Sequence, residues 1–495
     1  MQPLHTPLGQ LHMKKYLFIS VLVCLQINLF AGGLVTNNNQ SALFTRFQCR
    51  DATIDIDAAY YNPAGLVHFS DGFFLSVNNM SIGEALLIES KYENYADQTK
   101  EFNGRVLTPF FPAIYSVYKK GRFAFSGSLN IISGSGNIKY NNGLSSFERQ
   151  VADLVPYYRT ILDTIINGNI TNYEISAEFN LKSFFPSIQF NLAYMVNDYW
   201  SVAAGLRTVR ARKHYRGSIQ GITISGTDLN GDFREDPVEY LRNTAEDANE
   251  PTSTTLNNIA NNLEQKITRE VDAVQMGYGL APILSVNYAP SLYTNWAVKY
   301  EFKTNLKLTT DIPDRLRNIV VIEKDTVLID GAVVVADIPA MLSVGLTRRP
   351  SNKFMYYAGI HYYFDKPIDF DGSENLSIDM IERNSYEIAF GAEYKLTNII
   401  RLSAGWLFSR PGINKEFQKE TRYSLPSNTL GGGMGVRVSE LIDLNFGISY
   451  TLYKKDVVES TRDSDILPNP SEVSEYYDKR TFVIAVGVDF LFGEN

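Results

Sequence analysis

Cysteine, tryptophan and histidine are scarce in this chain, with two, three and five of 495 residues. Cys24 falls in an apolar stretch that reads as a removable leader. Cys49 then stands alone, which excludes an intramolecular disulfide in the mature chain. The strand histidines, His214 and His361, sit in no recognisable catalytic context, and His68 follows a turn. No Gly-x-Ser-x-Gly elbow occurs at a strand-to-helix turn, and Gly134-Ser135-Gly136 is too short for one. An enzyme is therefore not expected, and no cofactor or metal is assigned. Long apolar runs are missing too: beyond the leader nothing approaches the ~20 residues of a membrane helix. No linker rich in Pro, Gly or Ser divides the chain, and no repeat of ~20–50 residues recurs. A formal charge of −8 argues against a nucleic-acid partner.

What is present is aromatic and alternating. The 30 Tyr and 29 Phe favour β structure. Met13-Lys14-Lys15 followed by Tyr16 to Phe30 has the form of a secretory signal, with cleavage expected after Ala31 and Met1 to His12 as an upstream extension. A lipid-modified Cys24 is the rival reading, and Val23 before it is too bulky for that pattern. Tyr386, Ile388, Phe390, Ala392 and Tyr394 alternate with Glu387, Ala389, Gly391, Glu393 and Lys395. Phe482, Ile484, Val486, Val488, Phe490 and Phe492 alternate with Val483, Ala485, Gly487, Asp489 and Leu491. Charges keep to one side: Lys299, Glu301 and Lys303 stand opposite Trp296, Val298, Tyr300 and Phe302. Period two over ~10 residues, with aromatics near strand ends, is the signature of a transmembrane antiparallel β-barrel. A soluble sandwich would carry more Lys, Thr and Glu on its polar face, where this chain has Gly, Ala and Ser.

Short polar breaks alternate with long connections, expected near 83–106, 134–174, 218–270, 311–336, 366–383, 410–425 and 455–478. Short periplasmic turns and long outer loops are the outer-membrane rule, and their count implies about 14 strands between Gly72 and Phe492. A barrel of that size has a lumen its own side chains do not fill. Residues 32–70 precede the first strand and lack alternation, so they are expected to form an N-terminal plug, with residues 71–495 as the barrel. Within the plug, Asn62-Pro63-Ala64-Gly65 reads as a turn.

Asp57-Ala58-Ala59-Tyr60-Tyr61-Asn62-Pro63-Ala64-Gly65-Leu66 in this position resembles the hatch of the FadL-type (OMPP1/FadL/TodX) outer-membrane long-chain fatty acid transporters. Asp337 to Leu346, Ile388 to Tyr394 and Arg401 to Trp406 follow in the order such barrels show. The likeness spans essentially the whole mature chain. It implies a monomeric bacterial outer-membrane protein that takes up a hydrophobic small molecule passively, with long-chain fatty acids first and aromatic hydrocarbons second. Ligand would pass an outer groove and a pocket above the hatch, then leave sideways into outer-membrane lipid past a kinked third strand. A surface barrel that holds exported cargo is the alternative from another class. A general diffusion porin fits less well, since its lumen would stay open.

Under this resemblance Val151, Leu154, Val155, Tyr158, Leu162 and Ile165, at helical spacing in one loop, are candidates for a ligand groove. Leu256, Ile259, Leu263 and Ile267 would form its other wall. The same faces could simply pack on the barrel rim. Gly127 is the candidate kink, or equally space for an aromatic ring. A head-group carboxylate would need a lumen cation. Lys299, Arg401 and Arg437 face inward by parity, and no motif selects one. Asp228, Asn230, Asp232, Asp236 and Glu239 approximate calcium-loop spacing, but Phe233 stands where glycine is expected, so an acidic solvated loop is the reading.

Overall fold

The computed structural model describes residues 41–493 except 158, 160–168, 229, 267–269, 317–327, 368–379 and 463–468. The expected leader, and Tyr158, Leu162, Ile165 and Ile267 of the candidate groove, lie outside the described residues.

Alternating sequence becomes strand throughout. The first five wall strands are long: β1 (Gly72–Tyr92), β2 (Thr99–Lys120), β3 (Phe123–Tyr140), β4 (Asn169–Met195) and β5 (Trp200–Asp228). Next come β6 (Glu270–Ser291), β7 (Thr294–Glu301), β8 (Ala340–Arg348), β9 (Phe354–Phe364) and β10 (Ser385–Lys395). β11 (Ile400–Arg410), β12 (Ser427–Arg437), β13 (Ile442–Tyr453) and β14 (Ser471–Gly493) complete the wall. Each pairs antiparallel with its neighbour in sequence, and β14 returns to β1 in a ladder from Gly72↔Gly493 to Tyr92↔Val473. Among the described residues this is a closed barrel of 14 strands. Closure removes the sheet edge, whose free N–H and C=O groups hydrocarbon cannot satisfy.

The two faces of each strand differ as lipid and lumen demand. On β13, Phe446, Ile448, Tyr450 and Leu452 are exposed outward, while Asp443, Asn445, Ser449 and Thr451 are buried inside. Trp200 and Tyr288 stack at 4.4 Å at the short-turn end, one part of an aromatic girdle.

The early strands run further than their outward apolar pattern. Most of 83–106, and the two ends of 134–174 and the start of 218–270, are paired strand rather than loop. Above the apolar belt outward positions become charged, as at Glu101, Glu178 and Arg216, and this ends the lipid signal while backbone pairing continues.

Helices are found among the described residues of the plug and the outer connections. They are α1 (Ala42–Phe47), α2 (Ala58–Tyr61), α3 (Ser145–Ala152), α4 (Pro237–Asp247) and α5 (Thr252–Lys266). Asp236 caps α4 by accepting from Val238 N at 2.8 Å, and Asp228 accepts from the Tyr240 hydroxyl at 3.0 Å. Two carboxylates of the acidic stretch are thus engaged in holding a helix.

A lysine in place of Ile448, midway along the lipid face of β13, should cost about 2–4 kcal/mol of barrel stability, but Val438→Lys, at a short turn, only about 0–1. Reversible urea unfolding in lipid vesicles would show the difference.

Candidate functional site

Residues 41–69 lie inside the barrel, and polar groups they bury bond both to one another and to the wall. Ser41 caps α1 by accepting from Phe44 N at 2.8 Å, and the helix ends at Gln48, whose φ of 57° turns the chain back. The Asn62-Pro63-Ala64-Gly65 turn has a specific cause for each residue. The Asn62 amide donates to the Thr53 carbonyl at 2.9 Å and to Asn287 of β6 at 2.7 Å, tying the plug to itself and to the wall. Pro63 sits in the first turn of a 3-10 helix (Pro63–His68), where it needs no N–H partner. The Ala64 carbonyl accepts from Ser201 of β5 at 2.7 Å. A side chain at position 65 would meet the Asn62 amide at 2.5 Å and the Thr53 carbonyl at 3.0 Å, so only glycine fits.

Charge holds the rest of the plug. Arg46 and Arg50 are fully buried. Arg46 reaches across the lumen to Glu393 of β10 at 2.6 Å, Asn445 of β13 at 2.5 Å and Ser403 of β11 at 2.9 Å. Arg50 pairs within the plug, with Asp57 at 2.8 Å and Asp55 at 2.5 Å, and lies over the Phe47 and Tyr357 rings. His361 of β9 lies between Asp51 of the plug (2.5 Å) and Glu387 of β10 (2.7 Å). Lys299 of β7 donates to the Tyr60 carbonyl at 3.0 Å, and Arg207 of β5 covers the Tyr60 ring at 4.6 Å.

The wall makes room by omitting side chains. Gly345, Gly359, Gly391, Gly405, Gly431 and Gly447, one on each of β8 to β13, face the plug. A Cβ on any of them would press into plug atoms, as at Gly345, where it would fall 2.5 Å from Asp51 Cβ.

Three sequence candidates for a lumen cation are internally paired. Lys299 and Arg207 share Glu301, and Arg401 and Arg437 share Asp443. Lys213 of β5, which no sequence signal singled out, differs. It follows Val209 and Ala211 on the inward face, close enough to Arg422 for their charges to interact, and pairs with no carboxylate among the described residues.

The third strand is irregular away from Gly127. Gly127 pairs normally with Ser116 and Phe190, and its missing side chain leaves room for the Phe190 ring, 3.5 Å from where a Cβ would stand. The β2–β3 ladder instead stops after Val106↔Ile138 and resumes at Ile114↔Leu129. Pro109 and Pro112 have no N–H to donate there, and Gly134 and Gly136 take φ of +115° and +69°. Apolar side chains, Phe111 and Ile131 among them, back this gap from within.

At the outer end the groove candidates meet. Val151, Leu154, Leu256 and Leu263 are buried in one apolar cluster, with Val155 and Ile259 partly buried against it. The two faces therefore form one packed body that also includes Tyr92, Phe102 and Tyr173. α3 is pinned there by Arg149, which donates to Glu475 at 2.6 Å. Burial opposes that charge, yet Glu475 and Glu420 raise the guanidinium pKa above its ordinary value.

The family described as "Outer membrane protein transport protein (OMPP1/FadL/TodX)" matches residues 163–492. The crystal structure of a Pseudomonas aeruginosa FadL homologue superposes with a TM-score of 0.59 at 13% identity, covering 93% of this chain and 99% of the other. That of the P. putida toluene transporter TodX gives 0.51 at 13% identity, covering 94% and 100%. At such identity these two likenesses speak to the fold. No curated protein matches the chain.

Arg50→Met leaves Asp57 buried without its partner and should destabilise the plug by about 3–5 kcal/mol. Hydrogen exchange should then rise over residues 41–69 while the wall strands stay protected. Gly405→Leu, which drives the Phe47 backbone off the wall, should give the same pattern with Arg50 intact.

Proposed function

The chain belongs to the outer-membrane transport protein family OMPP1/FadL/TodX, and from that premise we propose that it admits long-chain fatty acids passively through its plugged barrel. Family members are outer-membrane channels for hydrophobic solutes, which fits an apolar outer cluster above a plugged lumen. The observation that carries the fatty-acid reading is Lys213. The other lumen cations considered above have carboxylate partners, whereas this one has none among the described residues and stands near a second positive charge. A ligand carboxylate would supply the missing anion.

Energy favours a route that stays dry. Each methylene kept from water is worth about 0.8 kcal/mol, so a sixteen-carbon chain favours apolar surroundings by on the order of 10 kcal/mol. Of the groove residues, Val155 and Ile259 are the partly exposed ones such a chain would meet first, and Val151, Leu154, Leu256 and Leu263 pack behind them. The interrupted β2–β3 ladder, backed by Phe111 and Ile131, offers a sideways exit into lipid. The plug serves as the hatch: beside its apolar contacts with the wall, hydrogen bonds and ion pairs that can exchange partners tie it in place. A second reading, uptake of aromatic hydrocarbons, draws support from the aromatic share of the outer cluster, including Tyr92, Tyr95, Phe102 and Tyr140.

The test is uptake of radiolabelled oleate and toluene by a transporter-deleted host expressing the chain, with folded surface protein checked in each case. The native chain should import oleate. Lys213→Met should weaken oleate uptake about ten-fold or more, the worth of a charge-assisted hydrogen bond, and leave toluene unaffected. Toluene uptake without oleate uptake would select the second reading.

Replacing Asn62-Pro63-Ala64 by Gly-Ser-Gly removes the Asn62 bridge and should change oleate flux while the barrel remains heat-modifiable on gels. Unchanged flux would remove the plug turn from the gate.

A further inference from the structure

The outward face of the barrel carries a charge pattern that uptake through the lumen does not explain. On β5 the outward residues are Trp200, Val202, Leu206 and Thr208, followed by Arg210 and Arg212, all exposed. Ten residues of tilted strand rise roughly 25 Å, the height of the apolar belt, so the arginines stand at the outer interface. Neighbouring strands switch at the corresponding place. Outward Arg105 ends the apolar run of β2 and Lys182 that of β4, and on β3 the exposed apolar run stops at Leu129 with outward Lys139 beyond it.

The strand register brings these five cations together. Arg105 and Lys139 are direct cross-strand partners. Asn137 pairs with Lys182, which sets Lys182 diagonal to Lys139. Phe184 pairs with Arg212, which sets Arg212 diagonal to Lys182. None of the five forms an ion pair with a carboxylate among the described residues, although His214 and Arg216 just above share Asp272. Like charges placed directly opposite one another repel, so the patch lacks an anion that the chain does not provide. Elsewhere on the wall the corresponding ends of β9, β10 and β13 present Phe364, Tyr386 and Leu452.

We infer that this face of β2–β5 is a binding site for a phosphorylated glycolipid of the outer leaflet, of the lipid A type. Its phosphates would lie on Arg105, Lys139, Lys182, Arg210 and Arg212. Its acyl chains would rest on the belt below, where Phe110, Phe190 and Tyr278 are each about 70% exposed. Arg210 already lies 5.9 Å from the Tyr278 ring centroid, which marks where head group gives way to hydrocarbon. Arg105 and Lys139 also border the upper edge of the broken β2–β3 ladder, so a lipid held there would cover the gap from outside. The inference depends on the barrel's orientation in the membrane and not on which molecule crosses it.

The experiment is lipid binding to the full chain folded in maltoside micelles, followed by native mass spectrometry and thermophoresis. The probes are bisphosphorylated lipid A, its dephosphorylated form and phosphatidylglycerol. Lipid A should bind about ten-fold or more tightly than either control, and should weaken as NaCl rises from about 0.1 to about 0.5 M. R105Q/K139Q/K182Q/R212Q should lose about ten-fold or more of that affinity and keep its heat-modifiable mobility. R348Q/R349Q, which removes charge at the opposite, short-turn end, should bind as the native chain does. Equal binding of the dephosphorylated lipid or of phosphatidylglycerol would overturn the site, as would native-like binding by the quadruple variant. If that variant does not fold, the double variant R105Q/R212Q and the salt dependence of the native chain decide by the same criteria.

Discussion

A guanidinium withdrawn from water must find its counter-charge in the protein, and Arg46 and Arg50 find theirs inside the barrel. Arg50 organises the plug internally through Asp55 and Asp57, and Arg46 fastens it to β10, β11 and β13. The rest of the lower lumen follows from this choice. Its wall must present a carboxylate and an amide at set heights, which is why Glu393 and Asn445 occupy inward positions that would otherwise suit small apolar residues. Removing either partner of such a pair strands a charge, so each position constrains the other.

Polar fastening alone would leave the plug standing off the wall. The six glycines of β8 to β13 bring its backbone close, and a hydrogen bond from a wall side chain to a plug carbonyl, such as Thr347 of β8 to Ala52 at 2.9 Å, forms at that range. The chemistry of the lumen changes along its axis. Below, ions and amides join apolar contacts in holding a compact segment; above, Tyr, Phe and Leu side chains form a continuous apolar body. Lys213 stands among the wall residues between the two regimes.

The fold was legible because lipid imposes a strict rule on outward side chains, and the rule appears as alternation in sequence. Tyr386 to Tyr394 and Phe482 to Phe492 announced their strands without ambiguity. Strand ends were less legible: above the lipid the outward residues become charged, and β4 and β5 continue with no hydrophobic signal. The plug turn was readable because Asn-Pro-Ala-Gly is locally constrained. The ion network was not, since Arg46 and Glu393 are far apart in sequence and periodicity does not encode partners. The third-strand irregularity had a signal in Pro109, Pro112, Gly134 and Gly136. Gly127 drew attention as an isolated strand glycine, whereas the break required a neighbouring strand unable to donate. Lys213 differs from Lys299 only in what surrounds it, and only the folded chain shows that.

The seam between β1 and β14 has a consequence for assembly. The plug is the first part of the described chain to be made, yet the glycines and acceptors that receive it lie on β8 to β13, among the last. Until those strands exist, Arg46 remains in water with no reason to adopt its final place, and β1 has no β14 to meet. Seating of the plug and closing of the cylinder therefore belong to one late, long-range event, in which the earliest segment waits for the latest. A chain stopped short of that event would be an open sheet with its own stopper still outside.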